Sequence, residues 1–386
     1  MSRQQKRRDP IKVMVVWTIV LALLAVGTWG AGTLLTRYRR ARMSAMIQKV
    51  EDTNKRLEQE YKLAEAEFEQ ELAERNGKKK QWPVQNPEGW DVIDLSDIPL
   101  ETANTVSVTR ADAMQGGLLL VNEWHSRPND FNDAIMTSIF TYAGDRRNNF
   151  GVQNSDQKLH PAAIEALIGA LSEAKLLGFE HYVVNYAYRS YEEQDNLFQK
   201  KMQDIVDAYG TRYEGDALIA RAKRDVNYPG TSEFNTGLSV TLYLYERGNQ
   251  EINDQPFSTS QQGVWLYENC WRYGMIFRFP QEDFPIVGAS DKSYKTGMSQ
   301  PMNCYRYVGK GHAAVIYHMD MCLEEYIEYL QDHPHIAVFE DGTLKYEIVR
   351  QYVGDAESFT VGITQQALNY SVSLDNMGGA ITVLEY

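Results

Sequence analysis

The spacing of apolar and polar positions changes four times along the chain, and each change predicts a different kind of element. Residues Val13 to Leu35 form an uncharged, mostly apolar run of about the 20 residues that a helix needs to cross a bilayer. The run is longer than a typical signal-peptide core, and no small-residue cleavage site is followed by a mature-looking start. An uncleaved transmembrane helix is therefore expected at 13–35, behind a short tail at 1–12. From Met43 to about Glu74 the residues Met43, Ile47, Val50, Asn54, Leu57, Tyr61, Ala64 and Phe68 recur at alternating four- and three-residue steps. This heptad seam, with the polar Asn54 at an a-type position, predicts a helical stalk over 43–77. It forms either a coiled-coil homodimer through 43–75 or a single solvated helix. Asn76-Gly77 stops the helix, and Pro83, Pro87 and Pro99 suggest a linker over 78–116.

Beyond Gly117 the pattern is that of a folded body. Leu118 to Asn122 reads as a short buried strand, followed by a loop holding His125, Pro128 and Asp130. Pro161 to Leu177 carries Ile164, Leu167, Ile168 and Leu171 at helical spacing and leads through Gly178 into a strand at Tyr182 to Ala187. Tyr188, Arg189, Ser190, Tyr191, Gln194, Leu197 and Phe198 then open another helix, and such strand-end junctions are where sites are usually built. Tyr228 to Leu242 has a Pro-Gly turn, a run of small polar residues, and Leu238, Val240 and Leu242 in alternation, which reads as a strand. Trp265 to Tyr273 is an amphipathic helix ending at Gly274, Met275 to Pro280 a strand, Gln281 to Lys295 an insertion, and His312 to about Leu330 a final helix. From Ile336 to Tyr386 the period becomes two, with turn signals at Asp341-Gly342 and Gly378-Gly379, so a small β-unit is expected over 336–386. The fold class is α+β.

Composition narrows the partners. A net charge of −13 opposes nucleic acid, because a phosphate-binding surface needs a basic excess. Cys270, Cys304 and Cys322 form no CxxC pair, so neither a disulfide framework nor a cysteine-rich zinc site can be read, although one bridge stays open. The seven histidines (125, 160, 181, 312, 318, 333 and 335) contain no HExxH-like pair. A metal site built afresh would have to draw on His125 and on Glu282, Asp283 and Asp291 of the insertion.

Several blocks, read together, resemble the VanY-type D-alanyl-D-alanine carboxypeptidases, zinc enzymes that trim the terminal D-alanine of peptidoglycan stem peptides. Tyr188 to Gln194 is similar to the family's Tyr-Arg-Ser-Tyr-x-x-Gln pattern, and Pro229 to Thr241 to its Pro-Gly-x-Ser-Glu-His-Gln-Thr-Gly-Leu-Ala-Val-Asp block. Trp265 to Pro280 and Pro301 to Gly309 resemble two further blocks, so the likeness spans about residues 117–332. It implies a small mixed or antiparallel sheet flanked by helices.

The resemblance also locates the chemistry that has changed. In the family two histidines and an aspartate hold zinc and a glutamate acts as general base. Aligned without gaps, those positions are Phe234, Thr241, Cys304 and, for the base, Pro301; with a one-residue gap, Gln300 and Asn303 replace the last two. Phenylalanine has no donor atom, threonine is a poor ligand, and neither proline nor glutamine accepts a proton from water. No metal site and no cofactor are therefore expected. The substrate-holding half is kept: Arg189, whose guanidinium can grip a carboxylate or carbonyl with two hydrogen bonds, with Gln194, Ser232 and Glu233. The last three can equally serve to cap and satisfy their own turns.

Three functions follow as expectations. One is a membrane-anchored pseudoenzyme binding stem peptide or a cell-envelope protein; a second is an active carboxypeptidase with relocated ligands; a third is a scaffold acting through the stalk and the β-unit. Since peptidoglycan lies outside, the resemblance implies a cytoplasmic N-terminus and an extracytoplasmic body.

Overall fold

The computed structural model describes residues 88–386 continuously, and scattered helical positions between 14 and 63. The expected transmembrane helix at 13–35 and the stalk at 43–77 lie largely outside the described residues. Among the described residues no helix is long and apolar enough to cross a membrane.

In the folded body the main strands, apart from a short ribbon of Thr137–Ser138 with Lys158–Leu159, are β1 (Trp90–Asp94), β2 (Asn104–Thr109), β3 (Gly151–Val152), β4 (Tyr182–Tyr186), β5 (Ser239–Leu244), β6 (Met275–Phe277), β7 (Cys304–Tyr307), β8 (His335–Glu340), β9 (Thr343–Tyr352), β10 (Ser358–Ile363), β11 (Asn369–Leu374) and β12 (Gly379–Glu385). The main helices are α1 (Pro161–Leu176), α2 (Tyr191–Tyr209), α3 (Asp216–Ala222), α4 (Gln261–Asn269), α5 (Lys310–His318) and α6 (Leu323–Asp332). One five-stranded sheet has the order β3-β4-β5-β7-β6, with only the β3–β4 pair parallel. A second, antiparallel throughout, runs β1-β8-β9-β12-β11, and β10 pairs with β2 in a separate ribbon.

Helix α1 covers one face of the first sheet. Its N-terminus is set by His160, whose Nδ1 accepts from the Ala162 N–H, and by Pro161, whose missing N–H costs nothing in the first turn. Ile164, Leu167 and Leu171 on its inner face pack with Tyr182, Val184, Val240, Leu242 and Tyr305 in a core shut off from solvent. Helices α5 and α6 cover the second sheet, where Val315, Tyr326, Ile327 and Leu330 meet Ile336, Val338, Ile348 and Ile381.

The structure corrects four expectations from the sequence. The stretch assigned to a linker supplies strands β1 and β2; Val92 and Ile93 pair with Val338 and Ala337, and Trp90 stacks on His318 with ring centroids 4.8 Å apart. The C-terminal β-strands are consequently not a separate unit, because their sheet is completed by residues from before the body. Leu118 to Asn122, although almost fully buried, joins no ladder. Its polar groups are satisfied one at a time: the Leu118 N–H donates to Ser373 Oγ at 2.9 Å, and Arg306 Nη2 donates to the carbonyls of Gly117 and Leu119. The helix expected from His312 to Leu330 breaks at Met319 to Met321, where Asp320 has φ +50°. All three cysteines are buried and free.

Candidate functional site

The segment Tyr228 to Leu242 folds as its punctuation suggests, through a Pro229-Gly230 turn, a single 3-10 turn over Glu233–Thr236, and β5. Gly237 ends the turn with φ +67°, and a Cβ at this position would lie 2.2 Å from Met136 Sδ. Gly237→Ala meets both the left-handed backbone and that contact, so a loss of at least about 1 kcal/mol of stability is expected in urea unfolding. The segment is stitched to the strand-helix junction beside it. The Arg189 N–H donates to Phe234 O at 3.0 Å, and Asn235 Nδ2 donates to Arg189 O at 2.7 Å and Ser190 O at 3.3 Å. Ser190 caps α2 reciprocally with Glu193, so Arg189 leaves the junction at a fixed angle.

Strand alternation then sorts the site. Val240, Leu242 and Tyr305 point to the α1 core, which sends Ser239, Thr241, Cys304 and Arg306 to the opposite face. Thr241 and Cys304 are direct cross-strand partners, so their side chains stand together. Phe234 packs with Cys304, Phe279, Met298 and Met302 in one apolar cluster. Positions 234, 241 and 304 therefore gather at one place, while Pro301 is exposed. Cys304 stands at this convergence, while the neighbouring Asn303 accepts the Leu242 N–H with its backbone carbonyl at 3.1 Å.

The donors at these positions do not fit zinc. The Thr241 Oγ1 accepts the Tyr186 N–H at 3.1 Å, and burial pushes the Cys304 thiol well up, against the thiolate that binds metal. No group of three or more His, Cys, Asp or Glu among the described residues could hold a metal. The histidines are engaged elsewhere: His312 Nδ1 lies 2.8 Å from Tyr326 Oη, and burial brings its pKa down to about 3; His333 pairs with Asp94 and His335 with Glu347. His125 lies against Asn122, while the insertion's Asp283 and Asp291 accept from backbone N–H groups of their own loop.

Next to the apolar cluster, on the same sheet face, lies a buried ion network whose roles sequence reasoning did not assign. Glu233 Oε2 accepts from Arg278 Nε at 2.8 Å, while its Oε1 accepts from Ser239 Oγ at 2.7 Å and from Arg306 Nη1. Arg278 also makes a two-pronged pair with Glu324 at 2.8 and 2.6 Å, and Asn122 Nδ2 donates to Glu324 at 3.1 Å. Both arginines are completely buried.

Of the residues placed on the substrate side by the sequence, two are committed to protein partners. The oxygens of Glu233 belong to the network. Gln194, 1% exposed, accepts from Arg189 Nη1 at 2.8 Å and donates to Asn227 O at 2.6 Å, so it positions Arg189 and leaves no hand for a ligand. Arg189 itself is half-buried over the Phe234 ring, 5.5 Å from its centroid, and burial lowers its pKa. No carboxylate among the described residues forms an ion pair with it. Ser232, which is buried, lines a cleft together with Asn122, Glu123, Lys223, Tyr228 and Phe234.

Residues 156–309 match the VanY family, D-alanyl-D-alanine carboxypeptidase. The chain is 27% identical over 288 residues to a D-alanyl-D-alanine carboxypeptidase of Enterococcus faecium, covering 74% of this chain and 80% of that protein. It is 30% identical over 215 residues to YodJ of Bacillus subtilis (strain 168), covering 55% and 67%. In fold it is similar to the vancomycin-resistance D,D-dipeptidase VanXYg, solved in complex with a D-Ala-D-Ala phosphinate analogue, with a TM-score of 0.52 at 21% identity over 73% of this chain and 99% of that one. The α+β architecture and the sequence blocks thus define a cell-wall carboxypeptidase-like protein. The chain belongs to the VanY D-alanyl-D-alanine carboxypeptidase family.

Proposed function

We propose that the protein is a membrane-anchored, extracytoplasmic member of this family that binds peptidoglycan stem peptide without hydrolysing it. The observation that carries the reading is the composition of the site: the three convergent positions are Phe234, Thr241 and Cys304, two of them packed in an apolar cluster, while the guanidinium of Arg189 is held in place with no carboxylate partner among the described residues. Such a site keeps a grip and lacks the donors for hydrolysis. The apolar run at 13–35 supplies the anchor in this reading.

Arg189 then holds a carbonyl or carboxylate of the peptide. Hydrogen bonds to a charged group are worth about 1.5–3 kcal/mol, so Arg189→Ala should weaken binding of a peptide ending in D-Ala-D-Ala by roughly ten- to a hundredfold, measured by calorimetry. In the same samples no D-alanine release is expected with zinc supplied. Stoichiometric zinc with D-alanine release would refute the reading.

A further inference from the structure

A second recess in the folded body shares no lining residue with the cleft beside Phe234. It encloses about 300 Å³, the lower end of the range for small-molecule sites. Buried Leu119 and Leu374 give it apolar surface, and Arg110, Tyr352, Asp355 and Asn376 line the rest. Tyr352 is 80% exposed, although its ring touches two turns: a Cβ at Gly378 would lie 2.8 Å from Tyr352 Cε2, and one at Gly354 3.4 Å from the hydroxyl oxygen. Both glycines have positive φ, +83° and +55°. A lone exposed tyrosine is ordinary. One laid on the bare backbone of two such turns is held in place while most of its ring stays open to solvent.

The polar groups around this ring mix donors with acceptors. Arg110 Nη1 donates to Gly354 O at 3.1 Å, and among the described residues its Nη2 makes no hydrogen bond. Asn376 Nδ2 donates to the carbonyls of Leu120 and Ser126 at 2.8 and 2.9 Å, which leaves its Oδ1 to accept. Asp130 lies 3.8 Å from Arg110 Nε and Asp355 lines the recess as well, so neither an anion nor a cation meets a wall of the opposite sign alone. Hydroxyl groups, which donate and accept at once, match such a set. The negative face of an aromatic ring also draws the slightly positive C–H edge of a sugar as it draws the edge of another ring. The same chemistry continues beyond the recess. Strand β2 ends immediately before Arg110, and its Thr105 and Ser107 are exposed, with the exposed Thr360 of β10 paired opposite Ser107.

We propose that this recess binds a neutral sugar ring of a polysaccharide, stacked on Tyr352 with its hydroxyls held by Arg110, Asp355 and Asn376, while the chain beyond it follows the hydroxyl-bearing ribbon. The site is separate from the cleft that takes the peptide, and the inference does not rest on that reading.

The test is calorimetric titration of the full-length chain with four oligosaccharides of equal length, built of N-acetylglucosamine, glucose, galacturonate or glucosamine, of which the last two are charged. At least one neutral oligomer should bind more tightly than either charged one, with an affinity that changes little with salt. Preference for N-acetylglucosamine assigns the ligand to amino-sugar polymers and preference for glucose to plain hexose polymers; both support a neutral-sugar site. Tyr352→Ala should weaken binding by about two- to tenfold, whereas Tyr352→Phe, which keeps the ring, should stay within about twofold of the wild type. Arg110→Met, which keeps the apolar stem and removes the donors, should also cost about two- to tenfold. Circular dichroism confirms that each variant is folded. Tyr352→Ala or Arg110→Met binding as tightly as the wild type would overturn the proposal. So would a charged oligomer that binds more tightly than both neutral ones and is displaced by salt, or neutral oligomers that fail to bind up to about 10 mM.

Discussion

The triple variant Phe234→His, Thr241→Asp, Cys304→His is expected to take up one zinc ion per chain, measured by elemental analysis after dialysis, whereas the wild type takes up none. The expectation follows from the backbone. Thr241 and Cys304 are already cross-strand partners, and residue 234 already packs against residue 304, so the replacements change donors and not positions. Without metal the variant should be less stable than the wild type, because an aspartate is then placed without a counter-charge at a site only 6% exposed. Leaving a buried charge uncompensated costs about 3–5 kcal/mol. Zinc at a thousand times its Kd returns about 4 kcal/mol by mass action, so the melting temperature of the variant, unlike that of the wild type, should climb with zinc concentration. Hydrolysis requires one more change. Pro301→Glu puts a carboxylate at the exposed residue that the ungapped alignment matches to the family's general base, and general base help is worth about 10²–10⁴-fold. The quadruple variant should therefore release D-alanine detectably and the triple variant far more slowly. A triple variant with wild-type circular dichroism that takes up no zinc would show that the three positions do not converge tightly enough to share an ion. Where the triple variant fails to fold, the pair Phe234→His and Cys304→His tests the same convergence.

Much of this arrangement was legible in the sequence, and what was not had physical causes. The alternation of Leu238, Val240 and Leu242 marked β5 correctly, because those residues face the α1 core. It could not show that Ser239 and Thr241 are buried as well, since small polar residues on the second face resemble a solvated one. The strand expected at Leu118 to Asn122 had the right burial and the wrong partners: an apolar run specifies exclusion of water, but here Ser373 and Arg306, distant in sequence, take up its polar groups. The prolines at 83, 87 and 99 suggested a linker, yet Trp90–Asp94 lies between them and pairs with β8, a non-local contact that local composition does not encode. Phe234, Thr241 and Cys304 were identified from their neighbours in the chain, and their convergence needed the register of β5 on β7. Arg278, Arg306 and Glu324 carried no individual signal, because lone charged residues in apolar surroundings read as exposed until their counter-charges are found. Glu123 and Lys223 were equally silent, each an ordinary loop charge until the fold brought them to one cleft.

The largest loss of stability from a single side chain is expected at Glu233. Arg278 and Arg306, both completely buried, each donate to it, and Arg306 also holds the carbonyls of Gly117 and Leu119, so this carboxylate joins the turn at 229–237 to two strands and to the buried segment before the loop. Glu233→Ala removes the shared anion and should cost about 3–5 kcal/mol in urea unfolding. Its pH signature separates this from simple loss of packing. Burial alone would raise the Glu233 pKa, but Arg306, Arg278 and the Ser239 hydroxyl outweigh it and hold the carboxyl at about 2, below its ordinary 4.5. The folded state thus binds its proton less tightly than the unfolded chain does. The stabilisation is full above about pH 4.5 and is lost as pH falls from there toward 2, amounting to about 3 kcal/mol in all and about 1 kcal/mol by pH 3.5. Glu233→Gln keeps the shape without the titrating charge, so the gap in stability between wild type and this variant should narrow by that amount between pH 7 and 3.5. A gap that stays constant with pH would mean that Glu233 acts by packing and hydrogen bonding alone. Because the folded carboxylate stays ionised down to about pH 2, the turn that carries Ser232 and Phe234 should keep its place at pH 3.5, so the gap should narrow without any weakening of peptide binding that traces to Glu233.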